Sequence, residues 1–254
     1  MLRRARELTD YKLCATDGEI GKVREFYFDD RTWTIRYLVA ETGSWLSEQQ
    51  VLISPYALDP ANTADKIIPV HMTRAQIEKG PALATDRPVS RQYEGEYYSY
   101  YGWPAYWGGP FAWGPSAYPV RGRAGWSEAS RRENEDPHLR STADVSGRDI
   151  EALDGEIGHT DDFVIDDETW DIRYLIAATQ NWWPGKKVLI STRWIDRISW
   201  EEARVFIKMT REAIKQAPEF TDETLITRDH EAKLHRHYNR DFYWENELAG
   251  VSRR

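Results

Sequence analysis

The sequence predicts a mainly β protein built as two tandem small β-barrels, each followed by short α-helices. Three observations predict it. A domain-sized unit occurs twice at one fixed offset. The first half of each unit is a series of short runs rich in β-branched and aromatic residues, separated by turn residues. The second half changes to helical spacing behind Thr and Ser caps.

The repeat comes first because it sets the domain organisation. "DGEIGKVREFYFDDRTWTIRYLVAETGSW" begins at Asp17, and "DGEIGHTDDFVIDDETWDIRYLIAATQNW" begins at Asp154, an offset of 137 residues. From Asp17/Asp154 to Ser54/Ser191, 21 of 38 positions are identical without a gap, so the two copies have equal element lengths. The same offset carries Met72 onto Met209, Pro81 onto Pro218, Arg91 onto Arg228, Glu94 onto Glu231, and Tyr106-Trp107 onto Tyr243-Trp244. Two copies of this size make a tandem duplication and not a solenoid. The expected domains are 1–107, a first barrel-like domain with a helical aromatic tail, and 145–254, a second one with its own tail. Residues 108–144 read as linker, because "GGPFAWGPSAYPVRGRAGWSEASRRENEDP" carries no helix or strand period.

Within each copy the elements follow in order. "YKLCA" is a first strand, and Asp17-Gly18 turns the chain into a hairpin. "EIGKVREFYF" and "WTIRYLVAE" are its arms, with turn chemistry supplied by "DDRT". On the second arm Trp33, Ile35, Tyr37 and Val39 are assigned one face, and Thr34, Arg36, Leu38 and Ala40 the other. Both faces become apolar, which suits a strand buried on both sides. "QQVLISP" and "KIIPVHM" are further strands, matched by "KKVLIST" and "ARVFIKM". "MTRAQIEKGP" is a short helix capped by Thr73, and "SRQYEGEYYSYYG" a second capped by Ser90. Tyr93, Tyr97 and Tyr101 lie along one face of that second helix.

Composition narrows the function classes. A net charge of −8 opposes general binding to nucleic acid, which needs a basic footprint. No stretch approaches the ~20 apolar residues of a membrane span. "MLRRARELTDYKL" has no apolar core of a signal peptide. The single cysteine, Cys14, fits a reducing compartment. The expectation is a soluble, cytoplasmic protein.

From Tyr97 to Tyr118, ten of 22 residues are aromatic, yet Gly and Pro interrupt the run and it holds no Lys or Arg. It is therefore neither a membrane span nor a basic stacking platform for nucleic acid. Tyr101, Trp103, Tyr106 and Trp107, with Tyr238, Tyr243 and Trp244, are expected to pack against folded protein as interaction residues. An interface between barrels is favoured, because aromatics are enriched at interfaces. Whether it lies within one chain or makes a homodimer stays open, with a slight lean to the dimer.

Chemistry-bearing residues are sparse. Cys14 aligns with Glu151 and reads as filler in a strand. Asp29-Asp30 and Asp166-Asp167 read as turn residues and not as acid–base pairs. His230, His235 and His237 align with Tyr93, Tyr98 and Tyr100, and read as amphipathic rings and not as a metal cluster. Glu19 with Arg36, and Glu156 with Arg173, are expected to form structural ion pairs holding the "DGEIG" turn to the hairpin. Gly18 and Gly21 lack the Lys-Ser/Thr of a phosphate loop. No catalytic residue, metal or cofactor is expected, and the chain reads as a non-enzyme.

"DGEIGKVREFYFDD…IRYLV" followed by "VLIS", "MTRAQI", "PVSRQYE" and "YYGWPAYW" resembles the PRC-barrel family. Its founding members are the cytoplasmic domain of the photosynthetic reaction-centre H subunit and the C-terminal domain of a ribosome maturation factor. The resemblance covers nearly all of both repeats. It implies a six-stranded barrel acting as an adaptor, and no single activity. The function it implies is non-enzymatic, through contacts with a protein partner that the sequence leaves unidentified. Two alternatives stand beside it. One is an accessory of photosynthetic electron transfer, associated peripherally with a complex at the cytoplasmic membrane face. The other is a ribosome maturation or RNA-processing factor that contacts a basic ribosomal protein and not nucleic acid directly.

Overall fold

A computed structural model describes the chain except residues 10, 44–45, 47–49, 82–88, 121–137, 180–184, 222–223, 225 and 249–254. The protein is mainly β, with two multi-stranded mixed sheets and few helices. It divides into two units. Among the described residues the N-terminal unit holds those of Arg6–Thr142 and Asp167–Asp171; the C-terminal unit holds Met1–Ala5, Ala143–Asp166 and those from Ile172 to Leu248.

In chain order the elements are β1 (Leu2–Arg4), α1 (Ala5–Thr9), β2 (Lys12–Ala15), β3 (Gly18–Asp29), β4 (Thr34–Thr42), β5 (Gln50–Ile53), β6 (Ile67–Pro69), α2 (Arg74–Glu78) and α3 (Arg91–Tyr101). They continue with β7 (Leu139–Ser141), α4 (Thr142–Val145), β8 (Asp149–Ala152), β9 (Gly155–Asp166), β10 (Ile172–Thr179), β11 (Lys187–Ser191), β12 (Ile195–Ser199), β13 (Arg204–Ile207), α5 (Arg211–Lys215), α6 (Arg228–His237) and α7 (Tyr243–Leu248). The N-terminal sheet runs β5-β4-β3-β2-β6, and the C-terminal sheet β11-β10-β9-β8-β13-β12. β2–β6 and β8–β13 are parallel pairs, and the other ladders are antiparallel.

The hairpin forms where turn chemistry places it. The Asp29 carboxylate accepts the Arg31 amide at 2.9 Å, and the Asp29 carbonyl accepts the Trp33 amide at 2.8 Å. The strand β4 then begins at Thr34, one residue later than the alternation predicts. Trp33 and Trp170 remain in the turns, in the left-handed region at φ 56° and 60°. That conformation costs a bulky residue on the order of 1–3 kcal/mol. Burial of the indole offsets it, and Trp33 stacks on Phe28 at 5.1 Å. Both faces of β4 are buried, as expected. The second glycine of each "DGEIG" has a steric reason: a Cβ on Gly21 would lie 2.0 Å from the Glu41 carbonyl oxygen, and one on Gly158 2.0 Å from that of Ala178.

Strand partners at the far end of each hairpin were not legible in the sequence. β7 pairs with the end of β3, from Leu139 opposite Asp29 to Ser141 opposite Tyr27. Its counterpart 137 residues earlier, β1, pairs with the end of β9, from Leu2 opposite Asp166 to Arg4 opposite Val164. In each unit, then, the strand comes from the segment that leads into the other repeat. In the N-terminal unit Asp30 takes His138 at 3.2 Å and Arg140 at 3.1 Å, and the Thr142 hydroxyl accepts the Phe26 amide at 3.2 Å. In the C-terminal unit the chain's amino group lies 3.6 Å from Asp166.

These pairings revise the expected domains. Residues 1–5 belong with the second repeat, while 108–120, 138–142 and 167–171 belong with the first. Of the stretch read as linker, 121–137 lies outside the described residues. The structure also adds β12, whose first-copy counterpart, residues 58–62, makes only isolated bridges at Leu58 and Asn62. Pro60 stands in that segment and cannot donate to a ladder.

Candidate functional site: a duplicated Arg-Glu-Tyr-Tyr cluster under the aromatic tail

Ser90 caps α3 through the Tyr93 amide at 3.1 Å, which puts Arg91 and Glu94 in its first turn. From there Glu94 is carried against β4 and buried completely. Its Oε1 accepts the hydroxyls of Tyr37 at 3.0 Å and Tyr106 at 3.1 Å. Its Oε2 accepts Arg91 Nη1 at 2.7 Å, and the same Nη1 donates to the Tyr106 hydroxyl at 2.9 Å. Burial pushes the Glu94 carboxyl up to about 7, against the opposing pull of Arg91 and the two hydroxyls. Burial, then the Glu94 charge, raises the Tyr37 and Tyr106 phenols well above their usual range.

Two guanidiniums lie against the tail ring of Tyr106. The Arg36 guanidinium lies 3.8 Å from its centroid and Arg91 5.3 Å, while Arg91 also covers Trp107 at 4.3 Å. Arg36 is anchored by Asp29 at 3.6 Å and by the carbonyl of Ala112. The next residue, Trp113, is fully buried, donates Nε1 to the Thr169 carbonyl at 2.9 Å and accepts the Tyr56 hydroxyl on its own carbonyl at 3.0 Å. The residues just past Trp107 are thus part of the fold.

The C-terminal unit repeats the arrangement at the same offset. Glu231 accepts Tyr174 at 2.9 Å, Tyr243 at 2.6 Å and Arg228 at 3.0 Å. Arg173 reaches Asp166 at 3.2 Å and covers Tyr243 at 4.4 Å, and Arg228 covers Trp244 at 4.5 Å. Burial raises the Glu231 carboxyl, with Tyr243, Tyr174 and Arg228 opposing. Two differences separate the copies. The Arg228 side chain is 57% exposed where that of Arg91 is 9%. His235 stands where the first copy has Tyr98.

Each tail residue singled out from the sequence rests on the unit that carries it. Tyr106, Tyr238 and Tyr243 are buried, and Tyr101, Trp103, Trp107 and Trp244 are half-buried. Trp103 stacks on Tyr101 at 4.7 Å, Trp107 meets Tyr98 at 5.6 Å, and Trp244 stacks on Phe242 at 4.8 Å. These contacts lie within each unit. Glu94 and Glu231 need donors when buried, and Tyr106 and Tyr243 supply them. The expected ion pairs are also replaced. Glu19 pairs with Lys12 at 2.9 Å and Glu156 with Arg204 at 3.6 Å, while Arg36 and Arg173 take Asp29 and Asp166. Glu19 sits at the opposite end of the hairpin from Arg36, about 25 Å away along the strand.

The remaining candidates separate in space. His235 Nδ1 lies 2.7 Å from the Asp241 carbonyl, and His237 Nε2 3.1 Å from that of Ala213. Among the described residues no group of three or more His, Cys, Asp or Glu is arranged to hold a metal ion. Burial, then the Glu19 charge, raises the Cys14 thiol, which keeps it protonated. Among the described residues no helix is long and apolar enough to cross a membrane. Tyr37, Tyr174, Trp113 and His235 were not picked out as site residues. The signal that could have found the first two is the joint recurrence of Arg91, Glu94 and Tyr106 at one offset, since a duplicated buried acid demands duplicated donors.

Chemically the cluster is a lock. Each carboxylate is filled by one hydroxyl from the sheet, one from the tail and a guanidinium from its own helix, which ties helix and tail to the strands. Outside it the N-terminal unit presents exposed rings at Tyr100, Phe111 and Tyr118. No protein-family model matches the chain, and no curated protein matches it significantly.

Proposed function

We propose that the protein is a non-enzymatic adaptor made of two PRC-barrel-like units that acts through protein–protein contacts. The observation that carries this reading is the duplicated lock. In both units the recurring Arg-Glu-Tyr-Tyr residues are spent on fixing the aromatic tail to the sheet, and the N-terminal unit leaves ring area at its surface. The parallel β2–β6 and β8–β13 pairs, and the burial of both faces of β4 and β10, support a sheet that curls as the resemblance implies. Exposed rings of Tyr100, Phe111 and Tyr118 are the surface on which a partner gains most area per residue. The test is affinity capture from the native cell with the wild-type chain and with a Phe111→Ser/Tyr118→Ser variant. A protein enriched by the first and lost with the second supports the reading. Recovery of reaction-centre subunits or of ribosomal proteins would separate the two partner classes that the resemblance offers. Equal capture by both chains would remove the surface argument.

A further inference from the structure

His235 is fully buried in the C-terminal unit, among Trp194, Phe242, Tyr243 and Trp244. Two atoms touch its ring nitrogens. A carbonyl oxygen can only accept, so Nδ1, 2.7 Å from the Asp241 carbonyl, carries a proton. Nε2 lies 3.2 Å from the Tyr174 hydroxyl, and that hydroxyl has one proton to give. The same hydroxyl lies 2.9 Å from Glu231 Oε1. Tyr174 therefore stands between an acid and a base and can donate to only one of them.

We propose that Glu231, Tyr174 and His235 form a buried proton wire that takes up one proton as a unit, a property the second repeat has and the first lacks. In the unprotonated site Glu231 is ionised and accepts the Tyr174 hydroxyl beside the Tyr243 hydroxyl and Arg228, and the lone pair of neutral His235 Nε2 faces the Tyr174 oxygen with no proton between them. The added proton has two places. On His235 Nε2 it donates to the Tyr174 oxygen, and the Tyr174 hydroxyl stays on the ionised Glu231. On Glu231 it donates to the Tyr174 oxygen, and the hydroxyl turns to the neutral His235. The two forms interconvert by shifting one proton along each of the two hydrogen bonds, with no change in total charge. In the first repeat Tyr98 occupies the histidine position, and a phenol offers no basic nitrogen to hold the added proton, so the wire ends at Tyr37.

The charged and titratable groups around the wire set its proton affinity. Arg228 on α6, Arg193 beside Trp194 and Arg173 on β10 oppose a second positive charge; Glu231 favours one; Tyr243 and Tyr238 are neutral phenols. Burial lowers the His235 pKa and the Asp241 hydrogen bond opposes that, while burial raises the Glu231 pKa. The two groups are thus driven toward one another. The bond to the Asp241 carbonyl persists in every form, so the segment joining α6 to α7 stays pinned while the charge beneath the tail changes. This inference does not depend on the adaptor reading.

The test is a pH titration of the full chain labelled with ring-15N histidine. At high pH the account requires His235 as the tautomer protonated at Nδ1. In Glu231→Gln the His235 midpoint falls by about one pH unit or more, because the opposite charge is gone. In Tyr174→Phe the link is cut, and adding Glu231→Gln to it produces a smaller shift than it does in the wild type. His235→Tyr restores the residue of the first repeat and removes the titration with the fold retained by far-UV circular dichroism. A high-pH tautomer protonated at Nε2, read on the wild type alone, would overturn the proposal. So would a His235 midpoint unmoved in a folded Glu231→Gln chain.

Discussion

Replacing Trp113 by Ala asks whether the aromatic stretch beyond Trp107 is part of the fold. The side chain is fully buried and is the largest of those so enclosed. Removing a buried Trp costs about 3–5 kcal/mol in transfer and cavity terms. The substitution also deletes the Nε1 bond to the Thr169 carbonyl, worth about 1 kcal/mol net. It takes away the edge contact with Tyr56 at 5.1 Å and a face for Arg36 at 5.0 Å as well. The expected loss is about 5 kcal/mol. At roughly 3–4 °C per kcal/mol for a unit of this size, the melting transition of the N-terminal unit should fall by about 15–20 °C. Differential scanning calorimetry measures it, with Phe111→Ala as the control. Phe111 is two residues away and 42% exposed, so its truncation should cost about 1–2 kcal/mol, well below the Trp113 loss. If Trp113→Ala melts with Phe111→Ala, the segment is a solvated linker and the packing argument fails.

Three further outcomes follow from the same geometry. Glu94 has a folded-state pKa raised from 4.5 to about 7, so the native state holds its proton more tightly than the unfolded chain, and stability should fall as pH rises through that window. Denaturant titrations of wild type and Glu94→Gln should diverge across it, by about 3 kcal/mol at the upper end; parallel profiles would refute the assignment. Trp107→Ala and Trp244→Ala should each cost about 1–3 kcal/mol, because both rings are half-buried, and should leave the mass unchanged by light scattering. A change of mass would show that these rings take part in a homodimer. Deleting Met1–Arg4 removes β1 and should lower the melting of the C-terminal unit, with hydrogen exchange quickening at Val164–Asp166 and not at Tyr27–Asp29.

What could be read in the sequence was what local chemistry decides. Thr73 and Ser90 announce α2 and α3 because a cap satisfies orphan amides within three residues. The hairpins and β5, β6, β11 and β13 follow from β-branched runs between turns. Trp33 was misplaced because alternation alone does not report that Asp29 closes the turn through the Trp33 amide. The exchanged strands β1 and β7 were out of reach for another reason. Leu2–Arg4 and Leu139–Ser141 are three-residue strands whose partners lie more than a hundred residues away, and no local pattern encodes such a pairing. The site was half legible. The tail rings were found by their recurrence, but their role was not, because it depends on a buried Glu94 collecting Tyr37 from β4. The expected Glu19–Arg36 pair failed since recurrence shows that two residues matter without showing that they meet.

The adaptor reading is tested most directly by crosslinking in the native cell. A photoreactive phenylalanine analogue is placed at Phe111 or at Tyr118, with Leu153, an exposed residue of the C-terminal unit, as the control position. The account predicts a discrete protein adduct at Phe111 and Tyr118, identifiable by mass spectrometry, and no such adduct at Leu153. The absence of an adduct at both rings, or the same mixture of adducts at all three positions, would contradict it.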